Sequence, residues 1–467
     1  MSRVILPGVS LARFNPLRGL HNPGTVLAWG LYDLANQSFT LLINTLLFPI
    51  FFREVIVGSS RPATGDRLWS TMVSASLLVV VLISPFVGAL ADGRGLRKRF
   101  LIGTGLACGV ATVALGLVGA GAAWIAITVY MLANIAYQLG ENFLASFLPI
   151  VSTPRTIGRV SAIGWTMGYV GALLLLAISG GAIVLFGWQD TSAWRPLIVF
   201  AGLWFLVGII APAIVLREPP TDPTSRELSP ARQAFRRVRD TWLHASRHRQ
   251  LRRFLAAFFI YAMGVQAVIV FSAVVAKDVV FAGDPNANTK LILFIAQLTI
   301  TAGLGAAGAG VVQDRIGGRT VVLLFLAVWV VSALGFAAFS LTPGAPEWAF
   351  WVLGNGVGLG LGGIGTASRS LVGRFTPASK TAEFFGLWGM VYKGAGVVGV
   401  FLFGQTRAAT GDAAALFLLT VFFGVGFMGT LTVHETRGVR EARRAQRDHA
   451  RALQGAAEAQ IESRGAI

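Results

Sequence analysis

The sequence predicts an all-α integral membrane protein: twelve transmembrane helices in two parallel six-helix repeats, with both termini cytoplasmic. Three observations predict it: long apolar runs, a one-sided distribution of basic residues, and internal repetition. Of 467 residues, 54% are hydrophobic and 13% charged, against roughly 25% charged in soluble domains. Glycine (56) and phenylalanine (32) are abundant, as in membrane helices that pack closely.

A bilayer core about 30 Å thick requires about 20 apolar residues per helix. Twelve runs meet this requirement: 27–52, 68–91, 100–119, 124–150, 160–185, 196–216, 254–281, 291–312, 321–341, 348–372, 384–403 and 413–433. They are too long for strands and lack period-two alternation. Five segments follow: an N-terminus (1–26), a first bundle (27–216), a basic linker (217–253), a second bundle (254–433) and a basic tail (434–467). The N-terminus lacks the pattern of a cleavable signal, so the first run is expected to be a retained span. Cys108 is the single cysteine and excludes an internal disulfide.

With the N-terminus placed in the cytoplasm, 31 of the 39 Lys and Arg fall in cytoplasmic segments and 7 in outer ones. The last, Lys393, lies within a span. This is a strong positive-inside signal. It accounts for the formal net charge of +18 without nucleic acid. Ten of the arginines lie in the linker, where the cluster Arg236, Arg237 and Arg239 suits anionic lipid headgroups.

The halves repeat. Thr153-Pro154 recurs as Thr376-Pro377, Trp165 as Trp388 and Gly171 as Gly394, each at an offset of 223. Gly88 and Asp92 recur as Gly310 and Asp314 at an offset of 222. Six spans per half is an even number, so both halves enter the membrane in the same direction. That is the layout of the major facilitator superfamily, whose substrate site lies between the halves near the midplane.

Two loop motifs strengthen this resemblance. Gly88, Asp92 and Arg97 follow span two, and Gly310, Asp314, Arg315 and Arg319 follow span eight. Both resemble the facilitator loop pattern of a glycine, an aspartate and closely following basic residues. The glycines permit a tight turn, and the aspartate can pair with helix N-termini and basic residues across the seam. Gly93 stands where that pattern has a basic residue.

Candidate binding residues are polar groups inside spans. Asp33, Asn36, Gln37, Thr40 and Asn44 fall within an arc of about 100° on span one. Asn134, Gln138, Glu141 and Asn142 do the same on span four. Such stripes are costly toward lipid and are expected to face a wet cavity or one another. For the amides, interhelical packing is an equal alternative. Lys393 sits near the midplane, where a buried ammonium requires a carboxylate partner or an anionic substrate group.

Other chemistry is poorly supported. The GxGxxG match at residues 303–308 is inside an apolar span with no preceding strand, so it is no dinucleotide fingerprint. There is no phosphate-binding loop with its lysine. His244 and His248 have helical ligand spacing without a third ligand nearby. The expectations are therefore no enzyme, no cofactor, no bound metal and no nucleic acid.

A narrower resemblance rests on three stretches. The run from Trp29 through Tyr32, Asp33, Ala35 and Asn36 to Phe39 looks like the first-span signature of vacuole-effluxer-like, autophagy-related permeases. Gly158-Arg159-Val160-Ser161 through Gly164-Trp165 to Gly168-Tyr169 is similar to a second signature of that family. Ser368-Arg369-Ser370-Leu371 through Arg374 and Pro377, with Glu383-Phe384-Phe385-Gly386 and Lys393, is similar to a third. Leu34 and Trp388 depart from the pattern, and Glu141 has no counterpart in it. The resemblance implies a secondary transporter, with efflux of amino acids or similar metabolites. It favours Asp33, Asn36, Arg369, Glu383 and Lys393 as functional residues, while Glu141 rests on physics alone. The expected partners are a small-molecule substrate, membrane lipid and a coupling ion, a proton, in a bacterial inner membrane. Rival readings are a drug or siderophore exporter and a non-transporting receptor or scaffold.

Overall fold

The structure is a computed structural model. It describes residues 17–20, 22–153, 156–218, 239, 248–342, 344–377 and 381–447, excepting the side chains of residues 92, 93 and 381–383. Most of the linker, with Arg236 and Arg237, therefore lies outside the described residues. So do the side chains of Asp92 and Glu383.

The described chain is helical throughout. In chain order the long helices among the described residues are α1 (Pro23–Gly58), α2 (Pro62–Arg94), α3 (Arg97–Leu117), α4 (Ala123–Val151), α5 (Ile157–Leu185), α6 (Thr191–Val215), α7 (Arg249–Val280), α8 (Ala287–Ile316), α9 (Gly318–Leu341), α10 (Glu347–Phe375), α11 (Thr381–Thr410) and α12 (Asp412–Leu431), and residues 435–447 are helical after them. Eleven are long and apolar enough to cross a membrane. The other is α10. It has 29 residues, but its glycines, Asn355 and terminal charges lower its hydropathy. Most helices overrun the predicted runs at one or both ends, because polar flanking turns continue the helix beyond its apolar core.

The two loop motifs are mostly helix. Gly88 through Arg94 are the last turns of α2, and the turn itself is Gly95 at φ 63°. Gly310 through Ile316 likewise end α8, and Gly317 turns at φ 88°. A positive φ costs a side chain but not glycine, so each motif terminates its helix at one defined glycine.

Gaps left by glycine set how closely the helices pack. A Cβ on Gly171 of α5 would meet the Leu34 carbonyl of α1 at 2.6 Å, and one on Gly202 of α6 would meet the Val113 backbone of α3 at 2.7 Å. Gly305 and Gly362 seat α8 against α10 backbone to backbone. Close backbone approach is how helices associate where the surroundings are as apolar as the side chains.

The halves meet along α2 with α11, α5 with α8, and α1 with α7. The seam splays. Positions 386, 389, 396 and 404 share an arc of about 80° on α11. Near the C-terminal end of α11, a Cβ on Gly404 would touch Ser70 of α2, and one on Gly396 would touch Leu77 at 2.9 Å. Toward the other end, Gly389 and Gly386 have nothing within 4 Å. The gap therefore opens toward the end that carries the basic loops.

Candidate substrate site

The candidate site lies where α1, α4, α5 and α11 converge. Helix α1 changes its winding there. Pro23–Gln37 is α-helical, and Ser38–Leu46 is a π-helix. Wide turns of this kind are rare and recur at functional sites. The wider turn keeps Thr40 and Asn44 on the side facing α4. Tyr137 Oη lies 2.7 Å from Thr40 Oγ1, and Tyr130 Oη donates to Asn44 Oδ1 at 2.9 Å.

Asn36 is buried and donates to Glu141 of α4. Gln37 donates weakly to Asn36 at 3.4 Å. Asp33 is turned toward α5 instead. A Cβ on Gly164 would lie 3.6 Å from Asp33 Oδ2, and one on Gly168 would lie 3.5 Å from it. These two glycines make room for the carboxylate and for the indole of Trp29, which donates to the Leu144 carbonyl at 2.9 Å. Their spacing of four residues on α5 could have signalled a close approach, but not that an aspartate would fill it.

Lys393 reaches across the seam. Its ammonium donates to the Gln138 carbonyl at 3.0 Å and to Asn142 Oδ1 at 2.7 Å. It lies twelve residues after Thr381, about 18 Å along the helix, which is near mid-bilayer. The sequence led to a carboxylate partner or an anionic ligand. Here a carbonyl and an amide hold the ammonium, and among the described residues no carboxylate is within ion-pair distance. Gln138 contributes its backbone oxygen, and Asn142 contributes its side chain.

Arg369 of α10 lies over the ring of Phe385 of α11, 6.0 Å from its centroid. Its neighbour Ser368 shares a hydrogen bond of 2.7 Å with Tyr261 of α7. Asp33, Glu141, Arg369 and Lys393 are all half-buried, and none of the four forms an ion pair with a described residue. Two acids thus stand on α1 and α4 of the first half. Two bases stand on α10 and α11 of the second.

The loop motifs make different contacts. Asp314 pairs with Arg374 at 3.2 Å, within its own half. Arg319 donates to the Leu431 carbonyl at 2.9 Å. Both motifs meet a carboxylate that the sequence reading did not single out. Glu218, just past α6, accepts the Lys98 N–H at the start of α3 at 3.0 and 3.2 Å. Glu435, just past α12, accepts the Gly318 and Arg319 N–H groups at the start of α9 at 3.2 and 2.9 Å. Arg374 also pairs with Glu435 at 2.8 Å. Each carboxylate satisfies orphan donors at the positive end of a helix. The signal was available, since the two glutamates recur at an offset of 217, each just after its half's last helix. Arg315 makes no such contact, and Arg97 opens α3. No cluster of three metal-ligating side chains occurs among the described residues.

Solved structures place the fold. The nucleoside transporter NupG superposes with a TM-score of 0.63 at 13% identity, over 88% of this chain and 100% of that one. The inward-open xylose transporter XylE from E. coli superposes with a TM-score of 0.64 at 11% identity, over 90% and 98%. The chain has the fold of the major facilitator transporters, with eleven helices among the described residues long and apolar enough to cross a membrane. Within that class, the family described as vacuole effluxer Atg22-like matches residues 68–443, and the chain belongs to it. Relatives include the uncharacterized MFS-type transporter YxiO of Bacillus subtilis, 26% identical over 86% of this chain and 92% of its own length. Autophagy-related protein 22-1 of Neosartorya fischeri is 26% identical over 65% of this chain. The chain spans about half the length of the fungal relatives it matches.

Proposed function

We propose that this protein is a secondary active transporter that exports a small zwitterionic metabolite, such as an amino acid, by alternating access. The observation that carries the reading is the opposed charge along the seam: Asp33 and Glu141 on one side and Lys393 on the other near the midplane, with Arg369 nearer the basic-loop end, six residues or about 9 Å before the end of α10, and no ion pair among them. Unpaired intramembrane charges are costly and mark substrate or ion pathways. A ligand with one anionic and one cationic group would relieve both walls at once. Its anionic group would lie toward α10 and α11, and its amine toward α1 and α4.

The coupling ion in this reading is a proton carried by Asp33 or Glu141. Neither carboxylate forms an ion pair with a described residue, and Glu141 lies within electrostatic reach of Lys393, so a proton exchanged at Glu141 changes the charge that Lys393 meets during the cycle. The family description as an effluxer supports the outward direction. The similarity of the Bacillus subtilis relative YxiO over nearly its whole length supports a bacterial plasma membrane.

Flux of labelled amino acids in proteoliposomes, with and without an imposed proton gradient, tests the reading. Gradient-driven flux is expected from the native chain. It is expected to fail in Asp33→Asn or Glu141→Gln while substrate exchange without a gradient survives. Full gradient-driven flux in both variants would overturn the proton role. Transport of bulky drugs with no amino acid flux would overturn the substrate class.

A further inference from the structure

The end of the molecule opposite the basic loops holds a buried ion-pair ring that nothing above uses. Arg53 at the end of α1 pairs with Asp278 of α7 at 2.8 Å, and Arg407 of α11 pairs with Asp66 of α2 at 2.6 Å. Both pairs cross between halves. Arg407 also holds Asp278 at 2.6 Å and Asp412 at 2.6 Å. Arg53 Nε lies 2.7 Å from Asp66 Oδ1, in a bent approach that makes it an ion contact more than a directional hydrogen bond. Arg53, Asp66 and Arg407 are no more than 5% exposed at their side chains. Beside the ring, Lys277 of α7 pairs with Glu54 of α1 at 2.9 Å.

This arrangement is a repeat pairing with itself. Arg53-Glu54 recurs as Lys277-Asp278 at an offset of 224: base then acid, each at the end of its half's first helix. Each pair lies in a π-helical last segment, Phe52–Gly58 and Ala276–Val280. The base of each copy meets the acid of the other, as in a two-fold contact where one patch serves both partners.

We propose that this reciprocal pairing, with the Asp66–Arg407 tie, is the gate that closes the end opposite the basic loops and holds the carrier open toward them. Three features support a gate over a fixed staple. Its cross-half bonds join the two bodies that must separate in alternating access. It lies at the end where the seam is shut, with Gln405 reaching the Ser70 hydroxyl of α2 at 3.2 Å and Asn288 reaching the Gln189 carbonyl. Each half also contributes charges of both signs, so the halves part without leaving either side carrying only one sign. The inference rests on the alternating-access reading for its function, but its test reads conformation without substrate.

The reporter is Ser74→Cys. Ser74 is 5% exposed and lies on α2 between Ser70 and Leu77, the residues that touch α11. The native Cys108 is fully buried and is replaced by serine. A membrane-impermeant thiol reagent is applied from the side opposite the basic loops. The reporter chain alone is expected to react slowly. Adding Asp278→Asn or Glu54→Gln is expected to raise the labelling rate about tenfold or more, as a shift in the closed-to-open equilibrium requires. The double exchange Glu54→Lys with Lys277→Glu, a pair whose only ion pair among the described residues is with each other, is expected to return labelling toward the native rate, which loss of folding would not allow. Labelling unchanged by either single variant would overturn the gate, as would labelling raised equally from the basic-loop side. If labelling responds as expected but amino acids are not carried, the gate stands and the substrate reading fails.

Discussion

Two charged regions of this molecule share the seam and are built in opposite ways. At the end away from the basic loops, every charge of the ring has an opposite charge within 2.8 Å. Near the midplane, Asp33, Glu141 and Lys393 form no ion pair with the described residues, and neither does Arg369 closer to the end of α10. The ring satisfies itself, and the midplane charges are left without ion partners among the described residues. Charge inside a membrane therefore carries different meanings according to its partners. In the proposed cycle a closed ring holds one conformation, and an open set receives a ligand.

The largest way to break that contrast is to remove the centre of the ring. Arg407→Ala takes a partner from three aspartates, and breaking a buried pair in this way costs about 3–5 kcal/mol. Thermal unfolding in detergent is expected at a clearly lower temperature. A melting temperature equal to native would mean the ring is not a structural element. At the midplane the same kind of truncation is expected to spare the fold. Lys393→Ala removes the cation proposed to meet the substrate's anionic group, so transport is expected to fall about 10- to 150-fold, matching the roughly 1.5–3 kcal/mol of a hydrogen bond to a charged group. Melting is expected to change little. The contrast fails if Lys393→Ala unfolds the protein and Arg407→Ala does not.

Smaller changes sharpen the picture of how Asp33 is placed. Gly164→Ala brings a methyl within 2.5 Å of the Trp29 ring and forces that ring from its bond to Leu144. Overpacking of this kind costs about 1–3 kcal/mol. Reduced transport with altered tryptophan fluorescence is the expected outcome, whereas Gly389→Ala, with nothing within 4 Å, is expected to behave as native. The smallest effect is at the helix caps. Glu218→Gln keeps an acceptor but loses the charge at the start of α3, worth about 0.3–1 kcal/mol. A small drop in melting temperature, deeper at low salt than at high, is expected.

Much of the fold was legible because its signals are local. Apolar runs, glycine spacing and the sidedness of arginine can be read along one strand of sequence. So can the repeat, including the copies at the closed end, Arg53-Glu54 and Lys277-Asp278. What was missing was not their identity but their pairing, since Arg53 and Asp278 are 225 residues apart. The candidate site divides in the same way. Asp33, Asn36, Glu141 and Lys393 stood out as polar groups in apolar helices. That Asn36 would serve Glu141, and that Asn142 and a backbone carbonyl would hold Lys393, depended on how α1, α4 and α11 were turned about their axes. The π-helix at Ser38–Leu46 shows why rotation was hidden. A uniform helical period assumes one winding, and here the winding changes in the middle of the polar stripe.

By itself, the sequence determined that this chain is a membrane helical repeat, because burying apolar runs and hiding backbone polar groups in lipid leaves almost no other choice. It also determined which residues would be expensive inside the bilayer. Only the tertiary structure decided which of those residues are satisfied and which are left open. That outcome depends on distances between helices far apart in the chain, and those distances are set by packing, with glycine as the narrowest spacer. The same packing closed one end of the seam around two arginines and left the other end apart.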